Sequence, residues 1–291
     1  MFVLLTIFTP TYNRAHLLPR LYSSLISQDN QSFEWLIVDD GSEDNTEFYV
    51  SRMTAENKVK IRYIKKENGG KHTAHNVAIK AAYGDWFLCL DSDDILAPNA
   101  VENICSMLQH TKNIAGLVAY KAQMDGSLLC RRIPESFSSD HSLYEYALAG
   151  GGEYTLIFST EILRKYPFPV IEGECFSSEC VVYDQLDLAG YTFGLIPSVL
   201  EICEYQTDGL SSAVYQTMFK NPTGYQIYHA QRINLVTSFK ARLRHAVSYQ
   251  AFRALSKNNT YLYHGQHKLL VLMAWLPGQL GAIYYKKKGT C

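Results

Sequence analysis

Between residues 2 and 94, four apolar runs each end in a polar cluster, and this alternation constrains the fold more than any single motif. FVLLTIF (2–8) leads into TPTYNR, FEWLIVDD (33–40) into DDGS, VKIRYIKK (59–66) into ENGGKH, and DWFLCLD (85–91) into DSDD. The runs read as buried strands. Between them, 15–28 sets Leu17, Leu21 and Leu25 on one stripe, and 72–84 sets Ala74, Val77, Ala78, Ala81 and Ala82 at helical spacing with Gly84 as a stop. Ser42 is expected as the N-cap of the helix between the second and third strands, with Glu43 and Asp44 in its first turn. Strands joined through helices of this length need right-handed crossovers. The expected class is therefore α/β, a mainly parallel, Rossmann-like central sheet with helices on both faces. Ligands of such sheets bind beyond the carboxyl ends of the strands, where all four polar clusters fall.

The DSDD cluster places Asp91, Asp93 and Asp94 at the end of an apolar strand. A lone D-x-D is weak evidence, because acids at strand ends commonly cap turns or meet solvent. Here residues 86–90 fix the strand end, and closely set oxygen ligands suit a hard cation such as Mg²⁺ or Mn²⁺. An EF-hand is excluded, since Ile95 and Leu96 stand where an oxygen ligand and glycine are needed. GGKHT is no phosphate loop either: His72 follows the lysine, Lys65 occupies the first glycine position, and no G-x-G-x-x-G follows the first strand.

TPTYNR (9–14), VDDGS (38–42) and NGGKHTAHNVAIKAAYGDWFLCLDSDD (68–94), in this order, resemble family 2 of the inverting glycosyltransferases, which have the glycosyltransferase-A fold. The match is specific over roughly the first 95 residues and looser through 211. The resemblance implies a nucleotide-sugar donor, usually a UDP-sugar, held with one divalent metal. By position, Pro10, Tyr12 and Arg14 would line the nucleotide pocket, Asp39 would meet the uracil edge, and Lys71 would lie near the donor. Asp91 and Asp93 would form the D-x-D pair around Ser92, with Asp93 the stronger metal ligand. Read as residues, Tyr12 either stacks on a base or packs in the sheet, and Lys71 is either a phosphate partner or a solvated helix start. Asp40 and Asp94 are expected to cap turns.

Inverting transfer also needs a base for the acceptor hydroxyl. In the family an acid begins a helix ahead of a segment like GYTFGLIP, and Glu179 matches that position. Asp184 competes, although it lies more than one turn later on a different face, and a glutamate at a helix start can serve the dipole alone. Many relatives carry a Glu-Asp pair here, an arginine where Gln185 stands, and a histidine after the last strand. EYQTDGLS (204–211) has no histidine, which leaves Asp208 as a substitute third metal ligand. His72 and His75 sit three apart on one helix, but no third convergent ligand is evident, so a structural role is expected. Asn76 on the same helix is a candidate for donor or backbone contact, and GGGEY (150–154) is either an acceptor-side loop or a turn.

Net charge is −1, yet from Lys220 to Cys291 there are eleven Lys and Arg and no Asp or Glu, against 16 basic and 28 acidic residues before it. This splits the chain into 1–215, a catalytic domain with a nucleotide-sugar half (1–95) and an acceptor half (96–215), and 216–291, a basic helical appendage. Residues 230–255 read as one basic amphipathic helix with Leu235, Phe239, Leu243 and Val247 on its apolar stripe. Residues 269–285 carry no charge, but Pro277-Gly278 interrupts them and a spanning helix wants about 20 apolar residues. Peripheral attachment to an anionic membrane surface is expected, and no nucleic-acid motif accompanies the charge. The seven cysteines include no C-x-x-C pair, and MFVLLTIF lacks the basic flank and cleavage site of a secretory signal. A cytoplasmic enzyme on the inner face of the membrane is expected, moving a sugar from a UDP-sugar to a hydroxyl of a glycan or lipid-linked acceptor. The alternatives are a sugar-phosphate nucleotidyltransferase, which needs a GxGTR-like loop that TPTYNR is not, and a non-catalytic glycan- or lipid-binding protein.

Overall fold

The computed structural model describes residues 5–111, 113–134, 137, 140–204, 214–257 and 261–290. In chain order they form β1 (Leu5–Thr11), α1 (Leu18–Ile26), β2 (Phe33–Asp39), α2 (Thr46–Ala55), β3 (Ile61–Lys65), α3 (Lys71–Ala81), β4 (Trp86–Cys89), β5 (Ile95–Leu96), α4 (Ala100–His110) and β6 (Gly116–Gln123). There follow α5 (Leu143–Gly150), β7 (Tyr154–Ser159), α6 (Thr160–Leu163), α7 (Cys180–Leu188), β8 (Phe193–Cys203), α8 (Val214–Lys220), α9 (Pro222–Leu235), α10 (Phe239–Leu255), α11 (Lys268–Met273) and α12 (Trp275–Gly289). Residues 2–4 of the expected first strand and Asp208 lie outside the described residues.

Strand order is β3-β2-β1-β4-β7-β6-β8-β5. The first four strands pair in parallel, as their helical crossovers require, and β6 pairs with β8 in parallel. β7 enters between β4 and β6 antiparallel to both, and β5 closes the edge antiparallel to β8. Alternate residues of β1 face opposite layers. Leu5 and Ile7 join Trp35, Ile37 and Leu88 in a core packed against Leu18, Leu21 and Leu25 of α1, Val50 and Met53 of α2, and Val101 and Ile104 of α4. Phe8 points the other way, stacks on Phe87 at 5.6 Å, and meets His75 of α3 edge-on at 5.4 Å. The expected helices on both faces are thus present.

Ser42 does not cap α2. That helix starts at Thr46: Ser42 Oγ is occupied with the loop after β1, accepting from the Asn13 N–H at 2.9 Å, while Asp44 accepts from the Ala15 N–H at 2.9 Å through Oδ2 and from the Thr46 N–H at 3.0 Å through Oδ1. α1 begins at Leu18 rather than near residue 15, with Pro19 setting its first turn.

The chain divides into two compact units, Met1–Pro167 with Tyr191–Gln206, and Phe168–Gly190 with Thr207–Cys291. The first contains the whole sheet. The second is helical, and it includes the segment 168–190, which the sequence reading assigned to the catalytic part. The single helix expected over 230–255 is two, broken at 236–238. Val236 and Ser238 adopt extended backbone there, and Arg242 folds back to donate to the carbonyls of Ile233 and Val236 at 3.1 and 2.6 Å, satisfying the end of α9. The break also changes which residues are covered. Ala246, Tyr249, Ala251 and Phe252 are buried, while Phe239 of the expected stripe is 66% exposed.

Candidate functional site

The four loops beyond the carboxyl ends of β1–β4 are tied into one rim by their own side chains. Asn13, in left-handed conformation at φ 53, links the first loop to the second by accepting from the Glu43 N–H at 2.8 Å. Asp40 links the second to the third: its carboxylate accepts from the Gly69 and Gly70 N–H groups at 3.1 and 2.7 Å and from Lys66 at 2.5 Å. Gly41 is required at this crossing, since it sits at φ +88 and a Cβ there would lie 2.9 Å from the Asn68 nitrogen. The expected turn-holding role of Asp40 is what the geometry shows.

Cationic side chains join the fourth loop to the others. Arg14 Nη1 lies 2.9 Å from Asp93 Oδ2, and Lys71 Nζ lies 2.8 Å from Asp91. Lys71 is the first residue of α3. Of the expected donor-side residues, Pro10, Tyr12, Arg14, Asp39, Lys71, Asp91, Ser92 and Asp93 all belong to this rim of the first unit. Tyr12 is 49% exposed and so does not serve as core packing. Asp39 is fully buried: Oδ1 accepts from the Ser42 N–H at 2.7 Å and Oδ2 from the Tyr63 hydroxyl at 2.5 Å. Burial and this carboxylate together raise the Tyr63 pKa. Ser92 is buried between the two acids.

Carboxylate oxygens of Asp91, Asp93 and Asp94 lie within 4.8 Å of one another, a donor set that fits a hard divalent cation. Asp91 and Asp93 are partly open to solvent, whereas Asp94 turns inward. It joins Lys121 and Glu201, register partners on β6 and β8, with Lys121 Nζ 2.5 Å from Glu201 and 3.8 Å from Asp94. Burial foremost, and then the Glu201 charge, pushes Asp94 up to about 9, while its two acidic neighbours hold Lys121 protonated. The sequence reading missed this cluster and Arg20, which donates to the Asp93 carbonyl and to Glu204. The signal was present for the cluster: a lysine and a glutamate of opposite sign inside apolar strands seldom bury without each other.

Residues 6–168 match the model of glycosyl transferase family 2, more than half of the chain. The chain belongs to glycosyl transferase family 2. Chondroitin synthase of Pasteurella multocida is 34% identical over 128 residues, 43% of this chain and 13% of that protein. The chain spans less than two thirds of the curated relatives it matches, 18% of one glycosyltransferase and 58% of another. Among solved structures, S. aureus TarS 1–349 in complex with UDP-GlcNAc superposes with TM-score 0.62 at 19% identity, covering 94% of this chain and 79% of that one. A mannosyltransferase from Pyrobaculum calidifontis in complex with GDP-Man and Mn²⁺ gives 0.56 at 19% identity, covering 98% and 83%. These likenesses show the glycosyltransferase-A fold.

The family's candidate base, Glu179, lies in the second unit, immediately before α7. It is half-buried, and Tyr183 donates to Oε2 at 3.3 Å. Its competitor Asp184 is fully buried and receives Arg232 Nε at 2.7 Å; burial pushes its carboxyl up to about 7 against the pull of that arginine. Such a carboxylate is fastened within the helical unit. His75 fills the core beneath α3, and burial lowers the pKa of His72. The two groups of described residues close enough to share a cation contain neither histidine. In GGGEY, Gly151 and Gly152 have φ of +62 and +67, and a Cβ on Gly152 would meet the Leu129 carbonyl at 1.9 Å, so these glycines form a tight turn into β7.

Proposed function

We propose that this chain is a metal-assisted inverting glycosyltransferase that moves a sugar from a UDP-sugar to a hydroxyl of a glycan or lipid-linked acceptor. The observation that carries the reading is the rim where Asp91 and Asp93 stand beside Arg14 and Lys71. Two acids paired with two cations form a site that can exchange partners: a divalent ion can take the carboxylates while the released cations meet a diphosphate. Family membership and neighbours in complex with UDP-GlcNAc, and with GDP-Man and Mn²⁺, support a nucleotide-sugar donor.

Asp93 and Asp91 would hold Mg²⁺ or Mn²⁺, and the ion, when bound, supplies positive charge against the negative charge of the departing nucleoside diphosphate. Lys71 and Arg14 contribute fixed positive charge in the same place. Tyr12, exposed beside Pro10, offers a face for the base, whereas Asp39, expected at the base edge, is buried with both carboxylate oxygens engaged and holds the loop instead. Glu179, on the family pattern, takes the acceptor hydroxyl proton. The acceptor oxygen then bonds to the anomeric carbon on the face opposite the breaking C–O bond, the bonding pair leaves with UDP, and the configuration inverts.

A panel of nucleotide sugars with Mn²⁺, read as nucleoside diphosphate release, tests the proposal. UDP release from one UDP-sugar is expected, with Asp93→Ala and Glu179→Ala each lowering turnover at least about a hundredfold. Release of pyrophosphate, or unchanged turnover in both variants, contradicts it.

A further inference from the structure

The last two helices of the second unit bury one side and expose the other. Val271, Ala274 and Ala282 are buried, as is Gly278 between them. The small residues let α12 press on α10: a Cβ on Gly278 would lie 2.3 Å from the Gln250 Cβ, and one on Gly281 would lie 3.2 Å from the Ala251 Cβ. The helical hydrogen bonding carries through the junction, with the Ala274 N–H donating to Leu270 and the Gly278 N–H to Ala274. At 3.6 residues per turn the buried positions share one side. Leu269, Leu272, Met273, Leu276, Leu280 and Ile283 fall on the other within an arc of about 100°. Each of these six is between 65% and 71% exposed. Single exposed leucines are ordinary, but six on one stripe mark an interaction surface.

Charge identifies the occupant. Every Lys, Arg, Asp or Glu on α11 and α12 is a cation: Lys268 at the start of α11, and Lys286, Lys287 and Lys288 directly after the stripe. A second copy would bring a like charge to the same face, whereas an anionic surface is attracted to it. Tyr284 borders the stripe at 50% exposure, a ring of the kind that settles at the boundary between headgroup and acyl chain. No helix of the described residues is long and apolar enough to cross a membrane. We propose that the exposed face of α11 and α12 docks on an anionic lipid bilayer, lying in its plane with the apolar stripe at the acyl boundary and the lysines among the phosphates. This docking is independent of the donor chemistry.

The test is flotation of the full chain with vesicles of phosphatidylcholine alone or with roughly one third phosphatidylglycerol, in the absence of any nucleotide sugar. The chain is expected to float with the anionic vesicles only, and to be released as salt rises from about 0.05 M to about 0.5 M. Leu276→Glu with Leu280→Glu should abolish binding while circular dichroism and the melting temperature stay unchanged, since both side chains face solvent. Each of Lys286→Gln, Lys287→Gln and Lys288→Gln should weaken partitioning about fivefold. Three results would overturn the proposal: no flotation with anionic vesicles at low salt, equal flotation of the double glutamate variant, or a lipid-free dimer that the same substitutions dissociate.

Discussion

At the scale of single residues, the rim is organised by charges that balance locally. Asp40 holds the backbone of the third loop, Asp91 and Asp93 have a cation each, and Asp94 looks inward to Lys121 and Glu201. The inward cluster anchors the DSDD loop, because removing its lysine would leave Glu201 as an uncompensated charge with 1% of its side chain exposed. Lys121→Met is therefore expected to cost about 3–5 kcal/mol in urea unfolding, and Lys121→Met with Glu201→Met to recover much of it, as buried pairs replaced together by apolar residues often do. A loss below about 1 kcal/mol in the single variant would show that the cluster is not an anchor. Only part of this was legible. Asp91 and Asp93 announce themselves by position after an apolar run, but which acid turns outward depends on Lys121, some thirty residues away in sequence, and no local pattern carries that pairing.

At the scale of elements, the N-terminal alternation was readable because each strand is a short apolar run bounded by polar turns, and α1 and α3 carry a clear period. α2 was misplaced at its start because Ser42 has the chemistry of a cap but accepts from Asn13 in the first loop, while Asp44 holds Ala15 with one oxygen and the Thr46 N–H at the start of α2 with the other. The break between α9 and α10 was missed for a similar reason: its stabilising group, Arg242, lies past the break and folds back. These two helices also enclose His229 and His245, whose Nδ1 atoms are 2.9 Å apart and can share only one proton. Burial pushes His229 down to about 3, with His245 and Arg232 adding to the fall, and His245 down to about 4, with Arg232 and Arg244 adding to it. The unfolded chain, titrating near the ordinary value of about 6.5, takes up protons that the folded pair refuses. The stability from this pair is complete above about pH 6.5 and is lost as pH falls toward 4. Urea midpoints at about pH 7.5 and pH 5 should differ more in the wild type than in His229→Gln with His245→Gln, and equal differences would remove the pair from the account.

At the scale of the whole molecule, the charge of the sequence reverses near residue 220, and the chain clusters into a sheet unit and a helical unit. The boundary is not a single point, because 168–190 leaves the sheet unit and 191–206 returns to it as β8. A division read from composition cannot show that excursion, since the segment is acidic like the sheet unit while its helix α7 packs with the basic α9, through Asp184 and Arg232. Asp91 and Asp93 are proposed to hold a divalent ion through which the sheet edge grips a nucleoside diphosphate. Calorimetric titration of UDP into the full chain, with Mn²⁺ and again with chelator, tests it most directly. Binding with Mn²⁺ that weakens at least about tenfold with chelator, and likewise in Asp93→Asn, is predicted. UDP affinity unchanged by both chelator and Asp93→Asn would contradict it.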